Sequence, residues 1–323
     1  MKKAFTICSN NYLAQAKTLA DSFSCFNPDY DFTICLVDTF SEEIDYSFFK
    51  PYEIICIENL QIEQLAAMIE KYDITELNTA VKPFIFHFLF KTSPDTDSII
   101  YLDPDILIYQ PFTYLETCLN AYDILLTPHL FSPIEDDLSP SEPDILNAGL
   151  YNLGFIAVRR SAESFRFIDW WQNRLKDRCI IDFANGLFVD QLWINFVPLY
   201  FKNTLIIEKP GYNVAYWNLH EREVSICENS YCINKEFKLV FFHFSGYQMT
   251  NPKNISKYQN RFTFFARPDI VPLFKEYHSL VTKNKYAEFI NIPCHYIGLK
   301  RQKPAKNKRT VRSLMKKVYK HFR

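Results

Sequence analysis

The chain has 323 residues, 48% of them hydrophobic and 23% charged, with a formal net charge of −1. That fits one large α/β domain, or a main domain with a small appendage, around a sizeable core. Only six glycines are present and none precedes Gly149, so the glycine-rich turn that dinucleotide folds and P-loops need after their first strand is missing, which excludes nicotinamide dehydrogenases and P-loop kinases.

In chain order, residues 4–8 read as a short buried strand. Leu13 to Phe23 follows as a helix, with Leu13, Ala16, Leu19, Ala20 and Phe23 near helical spacing. Asn27-Pro28-Asp29 marks a turn, and the apolar run Phe32–Val37 is a second strand ending at Asp38. This βαβ order implies a parallel sheet with helices on its faces. Residues 53–57 give a third strand. A helix is expected from Thr79, as N-cap, to about Phe90, with Pro83 in its first turn. Ser98–Leu102 is the next strand and runs into Asp103-Pro104-Asp105; apolar residues resume at 106–109, and 122–127 is another strand. The acidic, proline-rich 135–143 stretch reads as a surface loop. Residues 152–158 form a strand, 164–175 an amphipathic helix, and Asp190 to Asn195 starts another helix. Residues 211–213 sit in a loop, and Leu239–Phe244 is a late strand ending at Ser245-Gly246.

Asp103 and Asp105 lie between Ile-Ile-Tyr-Leu and Ile-Leu-Ile-Tyr. In an extended chain, residues i and i+2 point to one side, so both acids can face one point. Two close anions at the mouth of a buried sheet repel unless something positive joins them, and oxygen ligands suit Mg²⁺ or Mn²⁺ bridging to a diphosphate. The plain alternative is an Asp-Pro-Asp turn that ends a strand. His243 closes an apolar strand; it is either a structural histidine or a third ligand that would favour Mn²⁺, and Gly246 would let the backbone approach a phosphate. The aromatic stretch from Tyr212 to Arg222 suits a sugar-binding wall, although Tyr216 and Trp217 fit a core equally well. His129 is an acceptor-side base or a loop histidine.

Tyr-Leu-Asp-Pro-Asp-Ile-Leu-Ile at 101–108 resembles the DxD motif of GT-A-fold glycosyltransferases. With Asn152-Leu-Gly154, Asp190-Gln191 and His243-Phe-Ser-Gly246 in that order, the chain resembles the retaining family-8 enzymes over roughly residues 4–260, and also a poorly characterised bacterial glycosyltransferase-like group. The resemblance implies a mixed, mainly parallel, Rossmann-like sheet flanked by helices. It implies metal ligation by Asp103, Asp105 and His243, with Asn10, Tyr12 and Asp38 bordering the nucleotide and Lys82 contacting the donor. Asn152, Asp190 and Gln191 would surround the transferred sugar, with Asp190 or Gln191 supporting its positive charge. Where the family has Lys-Pro-Trp after HFxG, this chain reads Tyr247-Gln248-Met249-Thr250-Asn251-Pro252-Lys253; Lys253 or Lys257 would supply the missing charge.

These expectations divide the chain into a 1–265 transferase domain (nucleotide half 1–110, sugar and acceptor half 111–265), a helical extension at 266–299 and a tail at 300–323. The tail holds eleven of the 36 Lys/Arg and no Asp or Glu, leaving 25 against 37 acids before it. Leu314, Met315, Val318, Tyr319 and Phe322 recur among those cations, as in an amphipathic helix lying on an anionic membrane; a solvated tail is the alternative. The nine cysteines lack CxxC or metal spacing, the N-terminus lacks a signal-peptide core, and no apolar run reaches membrane-span length. The expectation is a cytoplasmic enzyme, peripheral on the inner membrane face, that takes a hexose from a nucleotide-sugar, a UDP-sugar for preference. It would pass the sugar to a glycan or lipid-linked acceptor in surface-polysaccharide synthesis, with no nucleic-acid partner. Alternatives are a nucleotidyltransferase or a catalytically silent sugar- or membrane-binding scaffold.

Overall fold

The structure, a computed structural model, describes residues 1–297; the basic tail, and the membrane helix expected in it, lie outside the described residues. Its centre is a seven-stranded sheet in the order Thr204–Ile206, Ile124–Pro128, Tyr151–Arg159, Ser98–Leu102, Lys2–Cys8, Tyr30–Leu36, Glu53–Cys56. Six strands are mutually parallel, and Tyr151–Arg159 alone runs against both of its neighbours. The mixed, mainly parallel sheet expected from the sequence is therefore present. The reversed strand matters for function. Its N-terminal residues lie beside the carboxyl end of Ser98–Leu102, with Leu102 opposite Phe155. Open α/β sheets bind ligands beyond the carboxyl ends of their strands.

Side-chain alternation splits the core into two layers. Ala4, Cys8, Ile100 and Leu102 face a cluster built with the helix Leu13–Phe26 and with Leu273, Phe274, Tyr277 and Val281 of the helix Val271–Lys283. Phe5, Ile7, Ile99 and Tyr101 face the other, with the helices Lys82–Thr92 and Ala162–Arg178. Residues 268–292 thus share the first core layer rather than standing apart from it. No described helix is long and apolar enough to cross a membrane.

Three local expectations are corrected. The helix expected from Thr79 is two: Ile74–Ala80, opened by an Asp73–Glu76 capping box, and Lys82–Thr92, capped by Val81 with Pro83 in its first turn. Thr79 is no cap; its hydroxyl back-bonds to Thr75 and Glu76 carbonyls at 3.0 Å, as threonine does inside a helix. The 135–143 loop ends early, because the Ser141–Asp144 capping box starts a helix at Glu142–Ala148. The helix expected from Asp190 begins as a 3₁₀ segment, Gln191–Phe196, and turns α-helical only at Val197–Tyr200.

Candidate active site

The acids at 103 and 105 leave the sheet together, but not in the extended geometry that the i, i+2 argument assumes. Pro104 and Asp105 form a turn, closed by Ile106 N–H donating to the Asp103 carbonyl at 3.2 Å. The chain then re-enters as the strand Ile106–Ile108, which pairs antiparallel with Phe241–His243 so that Ile106 faces His243. Asp103 N–H donates to the Gly154 carbonyl, and Phe244 N–H to the Asp105 carbonyl, both at 2.8 Å. The turn is thereby fastened on both sides.

His243 Nε2 lies 2.9 Å from Asp105 Oδ1 and 3.6 Å from Asp103 Oδ2. One ligand atom from each of the three residues falls within 4.8 Å of the others. The imidazole is buried while the acids are partly exposed. Burial lowers the imidazole's pKa, but the Asp105 and Asp103 carboxylates outweigh it and hold His243 above its ordinary value. Space for the ring depends on Gly154: a Cβ there would lie 2.3 Å from His243 Cε1 and 2.8 Å from Asn152 Oδ1. Trp217, which is buried, meets the His243 ring edge-on at 5.2 Å and meets His129 at the same distance. Trp217 thus serves the core; Tyr216 beside it is half-buried and lies near Tyr258.

A buried amide cluster adjoins this trio. Asn152 Oδ1 accepts from Gly154 N–H at 3.0 Å and from Asn213 Nδ2 at 3.1 Å. Asn152 Nδ2 donates to Gln191 Oε1 at 3.3 Å and lies 3.3 Å from His129 Nε2. Gln191 also receives Leu153 N–H at 3.0 Å and donates to the Ala148 carbonyl at 2.9 Å. His129 sits in the bend that follows the strand Ile124–Pro128, and it is buried there. Burial pushes its imidazole down to about 4, which keeps it neutral at pH 7.

Lys82 and Asp190 form a buried ion pair, Nζ to Oδ2 2.6 Å, and Lys82 also donates to the Leu153 carbonyl at 3.0 Å. The ammonium stands 4.2 Å from the centre of the Tyr101 ring. Burial raises the Asp190 carboxyl, and Lys82 only partly offsets it. The basic group that the resemblance places on the donor is, in this fold, already engaged beneath the site.

On the nucleotide side, Asp38 is fully buried. Its carboxylate accepts from the backbone N–H groups of Asn10 (3.2 Å), Thr39 (3.0 Å) and His295 (2.8 Å). Asn10 Nδ2 donates to the Thr39 carbonyl at 2.9 Å, and its Oδ1 receives the Tyr46 hydroxyl at 2.8 Å. Tyr12 is 42% exposed. Desolvation, and to a smaller degree the Asp105 charge, push its phenol up to about 12. Gly246, at φ 72°, is required by packing: a Cβ would meet Ser256 Oγ at 2.4 Å and the Tyr258 ring at 2.5 Å. Lys253 and Lys257 are exposed, and Lys257 Nζ lies 4.9 Å from the Tyr258 ring centre.

The residues that sequence reasoning passed over are Tyr101, whose hydroxyl donates to Asp103 Oδ1, and Asn213, buried at φ 52° with Nδ2 on Asn152 and Thr127. Gly211-Tyr-Asn213 signalled a turn, and Tyr101 stood inside the DxD stretch, but neither pattern reveals a partner.

No family model matches the chain. It is 24% identical over 256 residues to the uncharacterized protein YfnF of Bacillus subtilis (strain 168), covering 78% of this chain and 84% of that protein. It is 25% identical over 179 residues to YfnD of the same organism, 54% and 55% of the two chains. Among solved structures it is similar to the galactosyltransferase LgtC in complex with donor and acceptor sugar analogs, at a TM-score of 0.50 and 14% identity over 93% of this chain and all of that one. The chain therefore has the GT-A fold of the glycosyltransferases, with an Asp–Asp–His cluster consistent with a divalent-metal site at the mouth of its sheet.

Proposed function

We propose that the protein is a metal-dependent glycosyltransferase that takes a hexose from a nucleotide-sugar, a UDP-sugar for preference, and passes it with retention to a glycan or lipid-linked acceptor. The observation that carries this reading is the convergence of Asp103, Asp105 and His243 on one point beyond the sheet. Two carboxylates and an imidazole suit Mn²⁺ better than Mg²⁺, which prefers oxygen alone. A cation held there supplies electrostatic stabilisation of the departing diphosphate.

The chain's own groups divide the remaining work. Asp103, Asp105 and His243 hold the cation. Gly154 keeps the imidazole in place by leaving it room. Asn152 and Gln191, locked to each other, present a fixed amide wall to the sugar, and preorganisation of this kind lowers the cost of orienting a substrate. Asp190, held by Lys82 at 2.6 Å, supports oxocarbenium character in the sugar from behind that wall. Asn10, Tyr12 and the exposed Lys253 border the nucleotide and its phosphates. A peripheral position on a cytoplasmic membrane face and a role in surface-polysaccharide synthesis complete the reading.

The test is nucleotide-sugar turnover, read as donor hydrolysis and as transfer, over a donor panel with Mn²⁺ and with chelator. Turnover is expected with Mn²⁺ alone, and the double variant Asp103→Ala/Asp105→Ala should lose at least about a thousandfold, the order expected on removing a principal electrostatic element. A folded double variant with undiminished turnover refutes the proposal.

A further inference from the structure

Tyr101 joins the acid–imidazole trio to the Lys82–Asp190 pair, and none of the four motifs that identify the site includes it as a functional group. Strand alternation turns it into the second core layer, where it is 3% exposed and its ring lies 5.1 Å from Phe5. Its hydroxyl donates to Asp103 Oδ1, while Oδ2 of the same carboxylate is the oxygen that faces His243. Its ring carries the Lys82 ammonium at 4.2 Å from the centroid, and that ammonium is in turn fixed by Asp190 and the Leu153 carbonyl.

A carboxylate hanging from a turn can exchange its two oxygens by rotation, because its terminal torsion is broad and roughly two-fold. One donor on an immobile ring removes that freedom: Oδ1 is tied back to the sheet and Oδ2 is left facing His243. Groups behind a metal ligand typically change metal affinity 10–100-fold when removed.

We propose that Tyr101 is a positioning residue that orients Asp103 for the cation and couples the cation site to the buried Lys82–Asp190 pair beneath the sugar site. The inference rests on the metal-site reading above. Tyr101→Phe isolates it, since the ring, its packing and its contact with Lys82 stay while the O–H goes. Asp103 is partly exposed, so water replaces the lost donor and the variant is expected to fold.

The experiment is a titration of the full-length protein with Mn²⁺, read by the electron paramagnetic resonance signal of free Mn²⁺, alongside a thermal melt. Parent, Tyr101→Phe and Asp103→Ala are compared. The expected result is a Kd for Mn²⁺ raised about tenfold in Tyr101→Phe, with a melting temperature close to the parent's, and no measurable binding in Asp103→Ala. An unchanged Kd in Tyr101→Phe, with binding lost in Asp103→Ala, overturns the positioning role and leaves the metal site standing. Unchanged binding in Asp103→Ala overturns the metal site itself. A Tyr101→Phe variant that does not fold makes Tyr101 a stability residue and overturns the proposal as well.

Discussion

Two polar clusters stand at the carboxyl edge of the same sheet and are built on opposite principles. Around Asp38, valences are saturated: one carboxylate takes three backbone N–H groups from three separate segments, and Asn10 closes on Thr39 and Tyr46. Around Asp103, Asp105 and His243, the Tyr101 hydroxyl ties Asp103 from behind and backbone bonds fasten the turn, while the carboxylates remain partly exposed in front. A cluster whose members satisfy one another stabilises the fold, as buried polar groups must. A cluster fixed on one side and open on the other is arranged to bind. The difference teaches that a buried acid at a strand end is not by itself a ligand contact; the destination of its lone pairs decides.

The sharpest way to break the comparison lies under the open cluster. Lys82→Met leaves Asp190 buried without its counter-charge, which typically costs about 3–5 kcal/mol; chemical denaturation at pH 7 should show a loss of that order. A loss below about 1 kcal/mol would mean that water reaches Asp190 and that the pair is not sealed. Next, Gly154→Ala forces the His243 ring aside, since the added methyl would stand 2.3 Å from Cε1. Overpacking of this kind costs about 1–3 kcal/mol, and Mn²⁺ binding should weaken together with stability; intact Mn²⁺ affinity would show that the ring has somewhere to go. The smallest effect is expected at the closed cluster. Asp38→Asn keeps one acceptor oxygen and turns a donor towards a backbone N–H, for about 1–2 kcal/mol. Amide hydrogen exchange should accelerate at Asn10, Thr39 and His295, with nucleotide-sugar affinity unchanged. Lost affinity without lost protection would return Asp38 to the nucleotide, as the family resemblance implies.

How much of this was legible in the chain varies by element. The βαβ opening, the strand running into Asp-Pro-Asp and the helix around Pro83 follow from period and turn chemistry, which are local. The Ile74–Ala80 helix was also written there, in Asp73 and Glu76, but its short apolar pattern hid it. The acid pair was found by a geometric argument that the fold does not use: Pro104 makes a turn, and the acids converge because the chain doubles back to pair with Phe241–His243. Gly246 illustrates a similar limit. Its need for φ 72° and for closeness to Ser256 and Tyr258 is a packing demand that a lone Gly after His-Phe-Ser does not announce.

By itself, the sequence determined which residue types could do chemistry and in what order they come, because hydrophobic period, capping and turn preference act over a few residues. Only the tertiary structure decided that Tyr151–Arg159 runs backwards, so that Asn152 and Gly154 stand beside Asp103, and that Lys82 spends its charge on Asp190. Strand direction and charge pairing join segments far apart in the chain, and a residue does not carry its partner's position in its own neighbourhood.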